Sequence, residues 1–393
     1  MSRSSPQRPF RKLLLVTVVA ALSLLLASCG KPPSSTPDVI VIVPSATADE
    51  PAPELAADNR RMLEEAGATS TQADAYVVDP TTGQPTEMPL TPRRPDGQVE
   101  YGPQRGSLLA QNVNRVGALL QNQAASGPFD LLGMIAAAVR VTSPPGTLLI
   151  LSSGLSTAGG FDLRQVGWDA DPGSVAAQLK HRGLLPDLAG WHVIFSGLGD
   201  VAGRQPPLPL PQQTTLASYW MAICQAAGAA ACRADEMTRP DPPSRSITPV
   251  PVVPVPAVVS IRGPHGSTGV SVPSDELFAF NSATLLPGAD GVLGPLAARA
   301  RAGHLLVSIT GYASPDGGSA AYNLVLSRAR ALAVRARLVA LGLPPTQLTQ
   351  VTGLGVDGKT SQACVVAGQF DEAACALMRR VVILLAHPSA AAS

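Results

Sequence analysis

Residues 314–337 read SPDGGSAAYNLVLSRARALAVRAR, an acidic turn set ahead of a cationic helix. Asn323, Ser327 and Arg330 are spaced by four and three residues and therefore share one helix face. That face is a candidate polar site. A solvated role for Arg330 beside Arg328, Arg335 and Arg337 is equally compatible with the spacing, and Pro315-Asp316-Gly317 is also an ordinary turn triplet. Other chemistries have weaker footing. There is no GxSxG, and the glycines Gly197, Gly199 and Gly203 in SGLGDVAG depart from a GxGxxG phosphate loop. No CxxC occurs, and none of the five histidines lies at ligand spacing from a cysteine, so no metal is expected. His181 and His192 are neighbours only along the chain. The residues thus point to binding without catalysis, and neither enzymatic activity nor a cofactor is expected.

The elements around this face follow from periodicity. Phe278 and Phe280 alternate in LFAFNSATL, which predicts a strand, and Pro287 to Arg301 predicts an amphipathic helix with proline in its first turn. HLLVSITGY predicts a second strand, and Ser319 to Leu341 a long helix ending before Gly342. LTQVTGL and RRVVILLA predict two more strands, giving an α/β sandwich over about 259–388. Ahead of it, residues 241–258 form a proline-rich linker that is expected to act as a semi-rigid polyproline rod.

In their order, FAFNSATLLP, ITGYASPDGG, YNLVLSRARALAV, the glycines of Gly353 to Gly355 and MRRVVILL resemble the OmpA-like peptidoglycan-binding domain. The resemblance implies that an aspartate and an arginine hold the diaminopimelate of a peptidoglycan stem peptide, the carboxylate meeting its ammonium and the guanidinium its carboxylate. Arg330 matches the family arginine in N-x-x-L-S-x-x-R-A, with Asn323 in the same motif. At the usual aspartate position stands Ser314; Asp316, two residues on, is expected to take the ammonium role. Asn281 and Ser282 are second-tier contacts, and Arg379 and Arg380 match a basic pair with a structural role.

Residues 38–240 alternate apolar strands with amphipathic helices, which predicts a doubly wound, Rossmann-like parallel sheet. TLLILSSGLST and LPDLAGWHVIFSGLGD resemble the later strands of a von Willebrand factor A-like (vWA-like) domain. Such domains hold a divalent ion on Asp-x-Ser-x-Ser. Here Ser45 and Thr47 remain but the first aspartate is absent, and Ser153 stands where a later one belongs, so a metal-free interaction domain is expected.

At the start, Arg3, Arg8, Arg11 and Lys12 precede the apolar run Leu13 to Leu26, an export-signal pattern too short for the roughly 20 residues of a membrane span. Leu26-Ala27-Ser28-Cys29 resembles a lipobox. It implies a signal peptide over 1–28, a fatty-acyl (palmitate-type) lipid anchor on Cys29 and a spacer over 29–37. The four later cysteines allow three pairings or free thiols. Cys224 with Cys232 and Cys364 with Cys375 are the pairings that stay within one domain.

Composition narrows the partners. Beyond residue 28 the chain carries 25 basic against 28 acidic residues, and aromatics make up 4%, which argues against nucleic acid. The sequence reading is a lipoprotein on the extracytoplasmic side of the cell envelope that binds peptidoglycan non-covalently. Its partners are the stem peptide, the membrane through its lipid, and another envelope protein through the vWA-like domain. A metal-dependent adhesion receptor and a cell-wall hydrolase are the alternatives.

Overall fold

The run DVIVIVP has no polar residue after its aspartate, which suits a strand buried on both faces, and it forms β1 (Asp38–Pro44) at the centre of a parallel sheet. A computed structural model describes residues 38–168, 170–235, 243–279, 281–358, 364–366 and 369–388. Parallel to β1 run β2 (Ala73–Val78) on one side and β4 (Gly146–Leu151), β5 (Trp191–Ser196) and β6 (Ala231–Ala234) on the other; β3 (Pro85–Pro89) closes the near edge antiparallel. The order β3-β2-β1-β4-β5-β6 reverses between β1 and β4.

Helices α1 (Ala57–Thr69) and α2 (Arg105–Gln121) cover one face over a core of Ile42, Leu63, Val113 and Leu149. Opposite them lie α3 (Leu131–Ala138), α4 (Leu163–Val166), α5 (Pro172–His181) and α6 (Leu210–Ala226), packed with Val41, Leu148, Phe161 and Trp220. This is the doubly wound sheet expected. The edge strands β3 and β6 were not legible because their residues are largely exposed and carry no apolar run.

The proline-rich segment differs from a free rod. Val250, Val253 and Pro256 are buried, a period of three that matches one edge of a polyproline helix. The Gln205 amide pairs with both backbone groups of Val253 (2.9 Å each), Arg204 donates to the Val250 carbonyl (2.6 Å) and the Trp168 indole to that of Pro254 (2.7 Å). A stiff segment with an apolar edge gains more by lying on the first domain than by standing in water.

The second sheet has the order β10-β9-β13-β8-β7, built from β7 (Val259–Arg262), β8 (Thr268–Pro273), β9 (Leu306–Ala313), β10 (Leu348–Val356) and β13 (Arg380–Ala386). Two-residue strands β11 (Val365–Val366) and β12 (Gln369–Phe370) pair beside it. Between strands lie α7 (Ser274–Leu277), α8 (Ala289–Ala302), α9 (Ala320–Ala340) and α10 (Glu372–Ala376). Leu293 and Ala297 of α8 and Ala331 and Val334 of α9 pack on Val307, Ile309 and Ile383.

The opening strand is not LFAFNSATL. Leu277 and Phe278 are both buried, which consecutive residues on a one-faced strand cannot be; α7 turns them in together, and Phe278 then makes a single bridge to Leu285. Phe280 lies outside the described residues. The strand paired with β13 is β8, whose Val270 and Val272 face Ile383 and Val381 in register.

Candidate functional site

Two glycines seat the long helix. A Cβ at Gly311 would lie 2.2 Å from the Ser327 carbonyl, and one at Gly353 would lie 2.1 Å from the Arg328 backbone nitrogen. With no side chain at either place, α9 lies directly on β9 and β10, and the Asn323, Ser327 and Arg330 face turns inward, where all three are buried. Ser327 Oγ accepts from the Gly355 N–H (2.9 Å).

Arg330 is not a solvated helix residue. Its Nε donates to the Ser282 carbonyl (2.9 Å), one Nη donates to Ser274 Oγ (3.0 Å), and the guanidinium lies 5.4 Å from the Phe278 ring centroid. Asn323 holds the preceding loop, donating to the carbonyls of Ser314 (3.0 Å) and Gly318 (3.3 Å). Asn281, at φ +48°, accepts from the Tyr322 hydroxyl (2.7 Å).

Asp316 sits on a single 3-10 turn, Pro315–Gly317. Arg379 donates from one Nη to Asp316 (2.8 Å) and to Ser314 Oγ (3.0 Å), and the same nitrogen lies 3.0 Å from Glu372. Burial opposes the Asp316 charge, but hydrogen bonds from Glu372 and Ser314 and the charge of Arg379 bring its carboxyl below the ordinary range. Glu372 moves the other way: burial and the adjoining Asp316 push it up to about 8, against the pull of Arg379. At neutral pH the pair therefore shares a proton, with Glu372 as donor.

Arg330, Asp316, Glu372 and Arg379 line one cavity of about 320 Å³, together with Asp275 and Asn281. The structure thus brings together Arg330, Asp316, Ser314, Asn323 and Asn281. It adds Glu372, Asp275 and Phe278, which sequence reasoning missed, and moves Arg379 from a purely structural role into the cavity wall. Arg380 does stay structural, stacked 4.4 Å from the Tyr312 ring centroid and paired with Asp357 (3.2 Å). Cys224–Cys232 and Cys364–Cys375 are both disulfides, so the free-thiol alternative falls.

At the strand-order reversal of the first sheet, Glu50 fills the crevice. Its carboxylate accepts from Ser152 Oγ (3.2 Å), from the Ser153 N–H (2.9 Å) and hydroxyl, and from the Thr47 N–H (3.1 Å); Ser45 Oγ donates to the Leu151 carbonyl (3.4 Å). Thr47 and Ser153 thus meet on an internal carboxylate, with Ser45 beside them, and Glu50 was not singled out from the sequence.

A mixed sheet with helices α8 and α9 on one face and a charged cavity at the helix–loop junction defines the second unit as an OmpA-like α/β domain. Residues 277–364 match the OmpA family. Among solved structures the chain is similar to a MotB-like protein from Desulfovibrio vulgaris, at 27% identity over 33% of this chain and 78% of that one, with a TM-score of 0.27. It is similar to the peptidoglycan-associated lipoprotein from Burkholderia pseudomallei at 28% identity, over 28% of this chain and 86% of that one, with a TM-score of 0.24. The cell-wall anchor of the T6SS from Pseudomonas aeruginosa is similar at 25% identity, over 33% and 86%, with a TM-score of 0.27. No curated protein matches. Cys29 lies outside the described residues, among which no helix is long and apolar enough to cross a membrane.

Proposed function

We propose that this chain is a noncatalytic envelope tether, anchored by lipid on Cys29, that grips the diaminopimelate of a peptidoglycan stem peptide in the Arg330 cavity. The observation that carries the reading is the cavity's charge pattern within an OmpA-family domain: a buried guanidinium and a carboxylate pair line the same space. Diaminopimelate ends in an ammonium and a carboxylate on one carbon. Arg330 suits the carboxylate through charge-assisted hydrogen bonds, and Asp316 suits the ammonium. The N-terminal domain presents a surface to another envelope protein.

The test is cosedimentation of the full chain with insoluble peptidoglycan, with free meso-diaminopimelate as competitor. Binding that the free amino acid displaces, and that Asp316→Ala weakens, is the expected result. Failure of the wild-type chain to sediment overturns the tether. For the anchor, Cys29→Ser is expected to abolish incorporation of labelled palmitate and release the chain from membranes; unchanged labelling contradicts it.

A further inference from the structure

The OmpA family match ends at Cys364, where the Cys364–Cys375 disulfide opens a short closed segment carrying α10. The staple shapes that helix. The Asp371 N–H donates to the Cys364 carbonyl (2.8 Å), and the Asp371 carboxylate caps α10 by accepting from the Ala374 N–H (2.9 Å). The two sulfurs lie with a carboxylate oxygen of Asp316 inside a 4.8 Å cluster, so the staple abuts the cavity.

The helix has two faces with different partners. Glu372 lines the cavity beside Asp316 and Arg379. Ala373 and Ala376 are buried in the main apolar cluster of the N-terminal domain, and α10 packs on α4. Gly167, just after α4 and at φ +75°, is pressed against the glutamate: a Cβ there would lie 2.4 Å from Glu372 Cγ. A second contact reaches the same cavity, since the Gln212 amide of α6 donates to the Asp275 carboxylate.

We propose that the ammonium-recognising side of the stem-peptide site is composite: Glu372, on the disulfide-closed segment, is a ligand-contacting carboxylate, and the N-terminal domain holds it in position through Gly167 and α4. The proposal rests on the peptidoglycan reading above and adds to it a residue outside the family motif and a role for the other domain. Gly167 is a positioning residue; it touches Glu372 and does not line the cavity.

A consequence follows for protons. The charged groups facing Glu372 are Asp316 from the turn after β9 and Arg379 before β13; Asp371 on its own segment and Arg164 of α4 pair electrostatically next to it, and Arg330 and Asp275 line the shared cavity. With its carboxyl held near 8, Glu372 is protonated in the empty site at neutral pH. An incoming ammonium replaces that proton: the carboxylic acid becomes a carboxylate paired to the ligand, and one proton leaves to solvent. Binding therefore strengthens as pH rises from about 6 towards 8.

The experiment is isothermal titration calorimetry of the full chain with a soluble muramyl tripeptide containing meso-diaminopimelate, in buffers of different ionisation enthalpy. Wild type is expected to release close to one proton per ligand at pH 6.5. Glu372→Gln should weaken binding about tenfold or more and abolish proton release, as loss of a charge-assisted contact does. Glu372→Asp should retain proton release at reduced affinity, which separates a ligand contact from misfolding. Gly167→Ala should weaken binding and alter proton release while thermal melting still reports a folded chain. If Arg330→Ala loses binding while Glu372→Gln keeps wild-type affinity and proton release, the composite site is wrong and the peptidoglycan reading stands. If wild type does not bind the tripeptide, both fall together.

Discussion

Polar residues converge at a described site in each domain, and the two sites are used in opposite ways. At the β1/β4 reversal the serines and Thr47 surround Glu50, and only about 50 Å³ is left beside it. In the C-terminal domain, Arg330, Asp316, Glu372 and Arg379 surround about 320 Å³ of open space. Convergence alone does not make a ligand site. The difference is whether the polar groups close over one another or line an open volume: Asp316, Glu372 and Arg379 pair with one another on the wall of the C-terminal cavity, and the seat of α9 on β9 and β10 places Arg330 on the same wall.

The largest effect expected from breaking this contrast is at that seat. Gly353→Val puts side-chain atoms into the Arg328 backbone, which cannot yield without lifting α9, so a loss of about 3 kcal/mol or more is expected in denaturant unfolding of the C-terminal domain. Peptidoglycan binding should go with it. A variant as stable as wild type would mean that α9 is not seated on these glycines.

The self-filled crevice comes next. Glu50→Ala leaves buried donors on Ser152, Ser153 and Thr47 without their acceptor, and about 1–3 kcal/mol is expected to be lost from the N-terminal domain. Below its melting temperature the variant should sediment with peptidoglycan like wild type. Lost binding with the stability intact would make the crevice a second ligand site and erase the contrast.

Smallest is the pH dependence of stability. The Glu372 carboxyl is raised in the folded chain, so its contribution is complete below the ordinary glutamate range and is lost as pH rises through about 8. Asp316 is lowered, so its contribution holds above the ordinary aspartate range and is lost in acid. The melting temperature of the C-terminal domain should therefore fall by a few degrees between about pH 6 and pH 9, and Glu372→Gln should flatten that limb. An unchanged alkaline limb in the variant would place the titration elsewhere.

How much of this was readable in the sequence depends on whether local or tertiary physics set the residue. Asn323, Ser327 and Arg330 were legible because helical spacing alone puts them on one face, and the disulfide pairings because they stay within domains. Asp316 was legible as a position, but its ion pair was not: Arg379 lies far along the chain, and its placement follows from β13 pairing with β8 and β9. Glu372 was invisible for the same reason, fixed by the Cys364–Cys375 staple and by contact with the other domain. Its signal was present, however, in an acidic dipeptide enclosed by a cysteine pair. The docking of the proline-rich segment was not legible, because residues 249–258 are all Pro, Val or Ala and only contact with the first domain selects the Val250, Val253 and Pro256 edge for burial. Phe278 misled because two phenylalanines in alternation mimic a strand.

Stem-peptide binding turns on the planar fork of Arg330, and Arg330→Lys keeps its charge while removing that shape: cosedimentation isotherms of the full chain with insoluble peptidoglycan compare the variant with wild type. Wild type is expected to bind saturably, displaced by free meso-diaminopimelate, and the lysine variant, which retains a point charge but not a planar pair of donors, to bind about tenfold or more weakly. A wild-type chain that stays in the supernatant, or a lysine variant that binds as tightly as wild type, would contradict this expectation.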